Sequence, residues 1–264
     1  MIIEEVLRYR KHQKRIGTRK LMDEMQAFLT AHHFQIGRDA MFELLRERGL
    51  LVIKRKRRGC VTTLSKHRFK KYPNIVRDFI PIAPNQLWVN DITYIHLNEG
   101  FAYLSLITDA YSRKIVGFYL SKDLSAKGPL KALKMALQSN ANRDGLIHHS
   151  DRGVQYCCDE YVKLLQDSQV KISMTENGDP LENALAERVN GILKTELLEA
   201  VFADFTTAQK DVATACSTYN HLRPHGSIDN LKPAEAHQKT GALNKRWKNY
   251  YKINKQKKEV LMSG

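Results

Sequence analysis

Apolar residues recur at helical spacing three times within the first fifty positions. Ile2, Ile3, Val6 and Leu7 form one stripe, Leu21, Met22, Met25 and Phe28 a second, and Met41, Phe42, Leu44 and Leu45 a third. Repeats of three and four residues put such side chains on one face of a helix. Thr18 stands where an N-cap would open the second helix. The third runs over 38–48, and Gly49 stops it. The pattern predicts a three-helix unit over residues 1–53 with its basic residues outside. A helix-turn-helix module fits it, and so does a plain helical bundle with a solvated basic face.

Beyond residue 80 the rhythm changes. Strands are expected over 87–95, 101–107 and 114–120, with Glu99-Gly100 as the turn between the first two. A helix over 126–138 follows, with Leu130, Leu133 and Leu137 inward. Short strands at 146–149 and 170–174 flank a helix at 160–165. Two more helices are expected over 183–198 and 206–222. Three consecutive strands and then alternating helix and strand predict a mixed α/β sheet across residues 81–240.

Charge separates these units. The chain has 264 residues, 42% of them hydrophobic, and a net charge of +15. That hydrophobic share excludes wholesale disorder, and no apolar run reaches the about 18 residues of a membrane span. The start, Met1 to Glu5, lacks the basic-then-apolar order of a signal peptide. A cytosolic protein with no membrane partner is expected. The basic charge is clustered at Lys54, Arg55, Lys56, Arg57 and Arg58 in a linker over 54–80, and again in a tail over 241–264 that carries Trp247, Tyr250 and Tyr251. Like-charged runs repel themselves unless they meet phosphate, which points to a nucleic acid. Cys60, Cys157, Cys158 and Cys216 show no paired metal-site spacing and are read as free thiols in a reducing compartment.

The chemistry lies in three acids. Asp91 sits in the middle of the first core strand. Asp151 follows the apolar lead-in Gly145-Leu146-Ile147 at a strand's end, and Glu187 lies in the helix over 183–198. Converging, they would hold two divalent cations about 3.5–4 Å apart, a spacing that clamps both oxygens of a phosphodiester exchange. Mg²⁺ or Mn²⁺ suits such hard oxygen ligands. At roughly 3.6 residues per turn, Asn183, Glu187, Asn190 and Lys194 share one face of that helix, and Leu185, Val189, Ile192 and Leu193 the other. Asp179, Glu182 and Glu196 are rival acids. Asp109 reads as a turn residue. Arg223 and His225, around Pro224, suit either contact with DNA or support of the helix that carries Glu187.

Five segments together resemble one known family. They are W-x-x-D-I-T-Y from Trp88, D-x-x-S-R from Asp109, H-S-D-x-G-x-Q-Y from His149, N-A-x-x-E from Asn183 and Y-N-x-x-R-P-H from Tyr219. In that order, with thirty-five residues between Asp151 and Glu187, the chain resembles the bacterial insertion-sequence transposases of the OrfB type, which carry a retroviral-integrase-like core. The resemblance implies a ribonuclease-H-like fold behind a DNA-binding helix-turn-helix domain, with Asp91, Asp151 and Glu187 as catalytic metal ligands. It implies strand cleavage and strand transfer at the terminal repeats of a mobile element, on target DNA, by a homo-oligomer in the bacterial cytosol at the nucleoid. An upstream reading-frame partner or fusion is common in the family. Lys194 matches the basic position beside the third acid and is expected on end phosphates; Asn183, Asn190, Arg223, His225 and the run 54–58 are further expected DNA contacts. Glu182 stands where many relatives carry Asp, and Arg188 where many carry Ser. A ribonuclease-H-like nuclease without strand transfer and a non-catalytic DNA-binding regulator are the alternatives.

Overall fold

The structure, a computed structural model, describes residues 1–53, 67–140, 143–176 and 183–245. The basic run 54–58, Cys60, Asp179, Glu182 and the aromatic residues of the tail lie outside those residues.

The N-terminal unit is three helices, α1 (Ile2–Arg10), α2 (Thr18–Ala31) and α3 (Arg38–Glu47). Val6, Ile16, Leu21, Met25, Leu29, Met41 and Leu45 close into one buried cluster. Two details differ from the pattern. Leu7 is 46% exposed, because one helical step past Val6 carries it off the buried stripe. Thr18 is the first helical residue rather than the cap; Gly17 takes the N-cap position, with no side-chain cap bond. Gly49 adopts a positive φ of 64° just past α3, the conformation that ends a helix and that glycine adopts without strain.

The core is a five-stranded sheet in the order β3-β2-β1-β4-β5. The strands are β1 (Leu87–His96), β2 (Phe101–Asp109), β3 (Ile115–Ser121), β4 (Ile147–Ser150) and β5 (Lys171–Met174). β1, β2 and β3 are antiparallel neighbours, whereas β4 and β5 join in parallel. The expected strands and helices are present, with ends shifted by a residue or two.

Alternation along β1 divides the core in two. Trp88 and Ile92 point to the face covered by α4 (Lys127–Ser139) and α6 (Asp159–Asp167), where they pack with Leu133, Leu137, Tyr161 and Leu165. Ile95 points the other way, toward Val189, Leu193, Val212 and Tyr219. Those residues come from α7 (Ala184–Ile192), the π-helical turn Leu193–Leu197 that continues it, and α8 (Phe205–His221). The expected single helix over 183–198 thus changes its winding near the middle, and Leu198 N–H closes the wider turn on Leu193 O at 2.8 Å. On the first face α4 lies so close that a Cβ on Gly117 would strike the Ala132 carbonyl oxygen.

The described part of the linker lies against the core. Met174 N–H bonds Pro73 O at 3.3 Å, and Ile75 N–H bonds Ser173 Oγ at 3.1 Å. The N-terminal unit meets the core as well, through Gln13 Nε2 to Leu222 O at 3.0 Å, Asn230 Nδ2 to Asp23 Oδ2 at 3.0 Å, and ion pairs from Lys14 to Glu199 and from Lys20 to Glu196. Cys157, Cys158 and Cys216 are free thiols. Among the described residues no helix is long and apolar enough to cross a membrane.

Candidate active site

Strand register brings the first two acids together. β1 and β4 are parallel, with Val89 opposite His149. Two residues on, the same register brings Asp91 beside Asp151, just past the end of β4. Period-2 alternation puts Asp91 on the face that carries α7, where Glu187 lies in the first turn. Asp91 senses the other two acids. Asp91 is pushed up to about 7, by burial first and then by the Asp151 charge, with a smaller push from Glu187. Two donors oppose that rise, Asn190 Nδ2 at 2.8 Å from Asp91 Oδ2 and the Ile92 N–H at 2.9 Å from Oδ1. Asp151 Oδ1 accepts the Gly153 N–H at 2.9 Å.

Around them the polar face of α7 is engaged with β1. Asn183 Nδ2 donates to Asn90 O at 2.8 Å and clips the start of the helix to the strand. Lys194 Nζ donates to Thr93 Oγ1 at 3.2 Å, two residues beyond Asp91 on the same strand face. Glu187 itself is exposed. Among the described residues, no three His, Cys, Asp or Glu side chains are drawn in closely enough to hold a metal ion as they stand. The donor set nevertheless suits a hard cation: mutually repelling carboxylates, one of them burdened by its own charge.

The remaining expected site residues fall elsewhere. Arg223 is 4% exposed and donates through Nε and Nη2 to the two carboxylate oxygens of Glu196, both at 2.8 Å. His225 is buried, its Nδ1 sharing a hydrogen bond with Ser227 Oγ at 2.9 Å, and burial followed by the Arg223 charge depresses it to about 2. Of the two roles open to this segment, burial favours support of the α7 helix. Asp109 is fully buried and accepts from Asn85 N–H, Ser112 N–H and Ser112 Oγ at 2.7 Å each, which makes it the organiser of its turn. Glu196, a rival acid by sequence, is occupied by Arg223. Burial pushes its carboxyl up, but Arg223 and Lys20 outweigh that and hold it low.

Two participants were not legible beforehand as site residues. Thr93, within W-x-x-D-I-T-Y, accepts the bond from Lys194. Tyr156, the last residue of H-S-D-x-G-x-Q-Y, is buried, and its hydroxyl is kept protonated first by burial and then by the Asp151 and Asp91 charges. Their presence in the motifs was the only signal.

Comparison with known proteins adds the family. A model described as an integrase core domain matches residues 81–180, and a second of the same description matches 168–233. The chain is 36% identical over 230 residues to the 31 kDa protein of insertion element IS600 from Shigella sonnei, covering 84% of this chain and 81% of that one. It is 30% identical over 236 residues to the transposase InsF of insertion sequence IS3A from Escherichia coli, covering 88% and 80%. The fold matches a chain of the simian T-cell lymphotropic virus intasome with a TM-score of 0.52 at 19% identity, over 88% of this chain and 79% of that one. The chain belongs to the insertion-sequence transposase family: it has the ribonuclease-H-like integrase core, and its activity is the polynucleotidyl transfer of DNA transposition.

Proposed function

We propose that Asp91, Asp151 and Glu187 act as one site holding two divalent cations, Mg²⁺ or Mn²⁺, at which the chain cleaves and joins DNA strands at the ends of its mobile element. The observation that carries this reading is the parallel register of β1 on β4, which sets Asp91 beside Asp151, with α7, the helix of Glu187, tied to Asp91 through Asn190. Oxygen-only carboxylate ligands fit a hard cation that keeps some of its water. Bound there, such ions lower the pKa of the attacking hydroxyl and stabilise the leaving oxygen.

The protein's own groups do the rest. Asn190 orients the Asp91 carboxylate, and Asn183 fixes the start of α7 against β1, so that Glu187 is held over the strand ends. Lys194, as a donor-only ammonium, holds a phosphate of the element's end beside the acids rather than a cation. The three-helix unit and the basic run 54–58 bind the terminal repeats, and target DNA enters at the acids. The working form is a homo-oligomer on DNA in the bacterial cytosol, with an upstream reading-frame product as a partner or fusion.

The experiment offers a pre-cleaved terminal-repeat duplex with a free 3′-hydroxyl, a target plasmid and Mg²⁺. Covalent end-to-plasmid products are expected. Nicked plasmid with no joined product would reduce the activity to that of a nuclease, and neither product in any divalent cation would defeat the reading.

A further inference from the structure

We infer that Glu196 is a positioning residue that fastens the N-terminal three-helix unit to the helix bearing Glu187, so that the seating of that unit bears on the active site. The inference rests on the proposed function and adds a coupling to it.

Glu196 lies in the π-helical turn that continues α7, nine residues past Glu187. Lys194, two residues earlier, reaches Thr93 of β1, whereas Glu196 is turned away from the sheet toward Arg223 and Lys20. On that rear side two cations meet one carboxylate. Arg223, from the segment after α8, makes a two-pronged bond at 2.8 Å to each oxygen. Lys20, from α2, places its Nζ 3.2 and 3.1 Å from the same two oxygens. Arg223 belongs to the core; Lys20 belongs to the other unit.

The other ion pair between the units is weaker. The Lys14–Glu199 pair is largely exposed, at 60% and 46%, and a pair in water contributes little. Lys20 and Glu196 are only 28% and 25% exposed. A sheltered ion triad is no better for stability than apolar packing of the same volume, but it penalises any arrangement that leaves one charge unmatched. It therefore fixes how α2 sits on the α7 extension. The segment so fixed also carries Lys194, two residues before Glu196, whose ammonium is bonded to Thr93 beside Asp91.

The tie has a pH limit. Lys20 is pushed down to about 8, by burial first and then by Arg223, with Arg188 adding to that push and Glu196 opposing it. Arg223 also bears on His225, which is neutral and stays so across this range. Raising the pH through about 8 removes the Lys20 charge and loosens the contact. An arginine in its place keeps its charge.

The test uses the full chain with Lys20→Met and Lys20→Arg. Lys20→Met is expected to lower joining of terminal-repeat DNA by about five- to a hundredfold, the range of a coupling energy between sites. Affinity for the same duplex, read by fluorescence anisotropy, should fall by far less than joining. In the wild type, joining should fall above about pH 8, and Lys20→Arg should remove that fall. Hydrogen exchange gives a readout independent of activity: Lys20→Met should speed exchange over 184–197. Wild-type joining by Lys20→Met, an affinity loss that accounts for the whole joining loss, an alkaline fall retained in Lys20→Arg, or unchanged exchange would each overturn the inference. A wild-type chain that joins nothing, yet shows the exchange change, would defeat the proposed function and leave the tie standing.

Discussion

Asp91 is poorly placed for a lone charge. Its folded value of about 7 lies above the ordinary 3.8 of its type, so between those limits the folded chain holds a proton that the unfolded chain has released. Metal-free stability should therefore fall as pH rises from about 4 to about 7, by roughly 2–4 kcal/mol, and level off above. Asp91→Asn, neutral throughout, should lack that fall and be the more stable protein at pH 8 in EDTA. Urea unfolding at pH 5 and pH 8 checks this; equal pH dependence of the two proteins would contradict it. Lys194 is tested by truncation. Lys194→Ala should weaken binding of end DNA and slow joining while leaving the carboxylates' response to Mg²⁺ intact, because an ammonium cannot ligate a cation. Equal binding and joining in that variant would leave Lys194 a structural residue with no part in holding DNA.

At the scale of elements, alternation and helical spacing made the strands and helices legible because each has one face turned to the interior. What they could not show is which polar face finds a protein partner. Asn183 and Asn190 lie on what reads as a hydrophilic stripe, yet they are 7% and 4% exposed, since β1 supplies a carbonyl and a carboxylate to meet them. Leu7 misled in the opposite direction, an apolar residue whose place in the stripe carries no partner. The candidate acids stand out through their motifs, whereas what draws Asp91 toward Asp151 is the parallel register of β1 on β4, a long-range fact. Gly117 carries an element-scale prediction. Gly117→Ala would drive a methyl group into the Ala132 carbonyl and the Ala136 side chain, forcing α4 off β3 at a cost of about 1–3 kcal/mol. Thermal unfolding checks it, and a midpoint at or above wild type would show that the helix yields without cost.

Over the whole molecule the +15 charge makes DNA binding a counterion problem. Log affinity for duplex DNA should fall against log salt with a slope of about −0.9 per phosphate neutralised; a flat dependence would mean that the basic residues are not what DNA meets. Sequence made this charge legible, but not the contact between the units. Lys20 and Glu196 are ordinary helix residues in their own segments, and only the folded chain brings them together across 176 positions. Arg223 was legible as important and not as interior, because a Pro-fixed turn looks the same in sequence whether it faces DNA or the back of α7.

In the proposed mechanism, three acids from β1, the end of β4 and α7 work as one metal-dependent site. The most direct measurement is joining of a terminal-repeat duplex to plasmid DNA in Mg²⁺ by Asp91→Asn, Asp151→Asn, Glu187→Gln and the triple variant, with Asp109→Asn as the control. Each single change should remove nearly all joining while DNA binding persists. The triple variant should be little worse than any one of them, since groups acting as a unit do not add, and Asp109→Asn should stay active. Substantial joining by any of the three single variants would contradict the account.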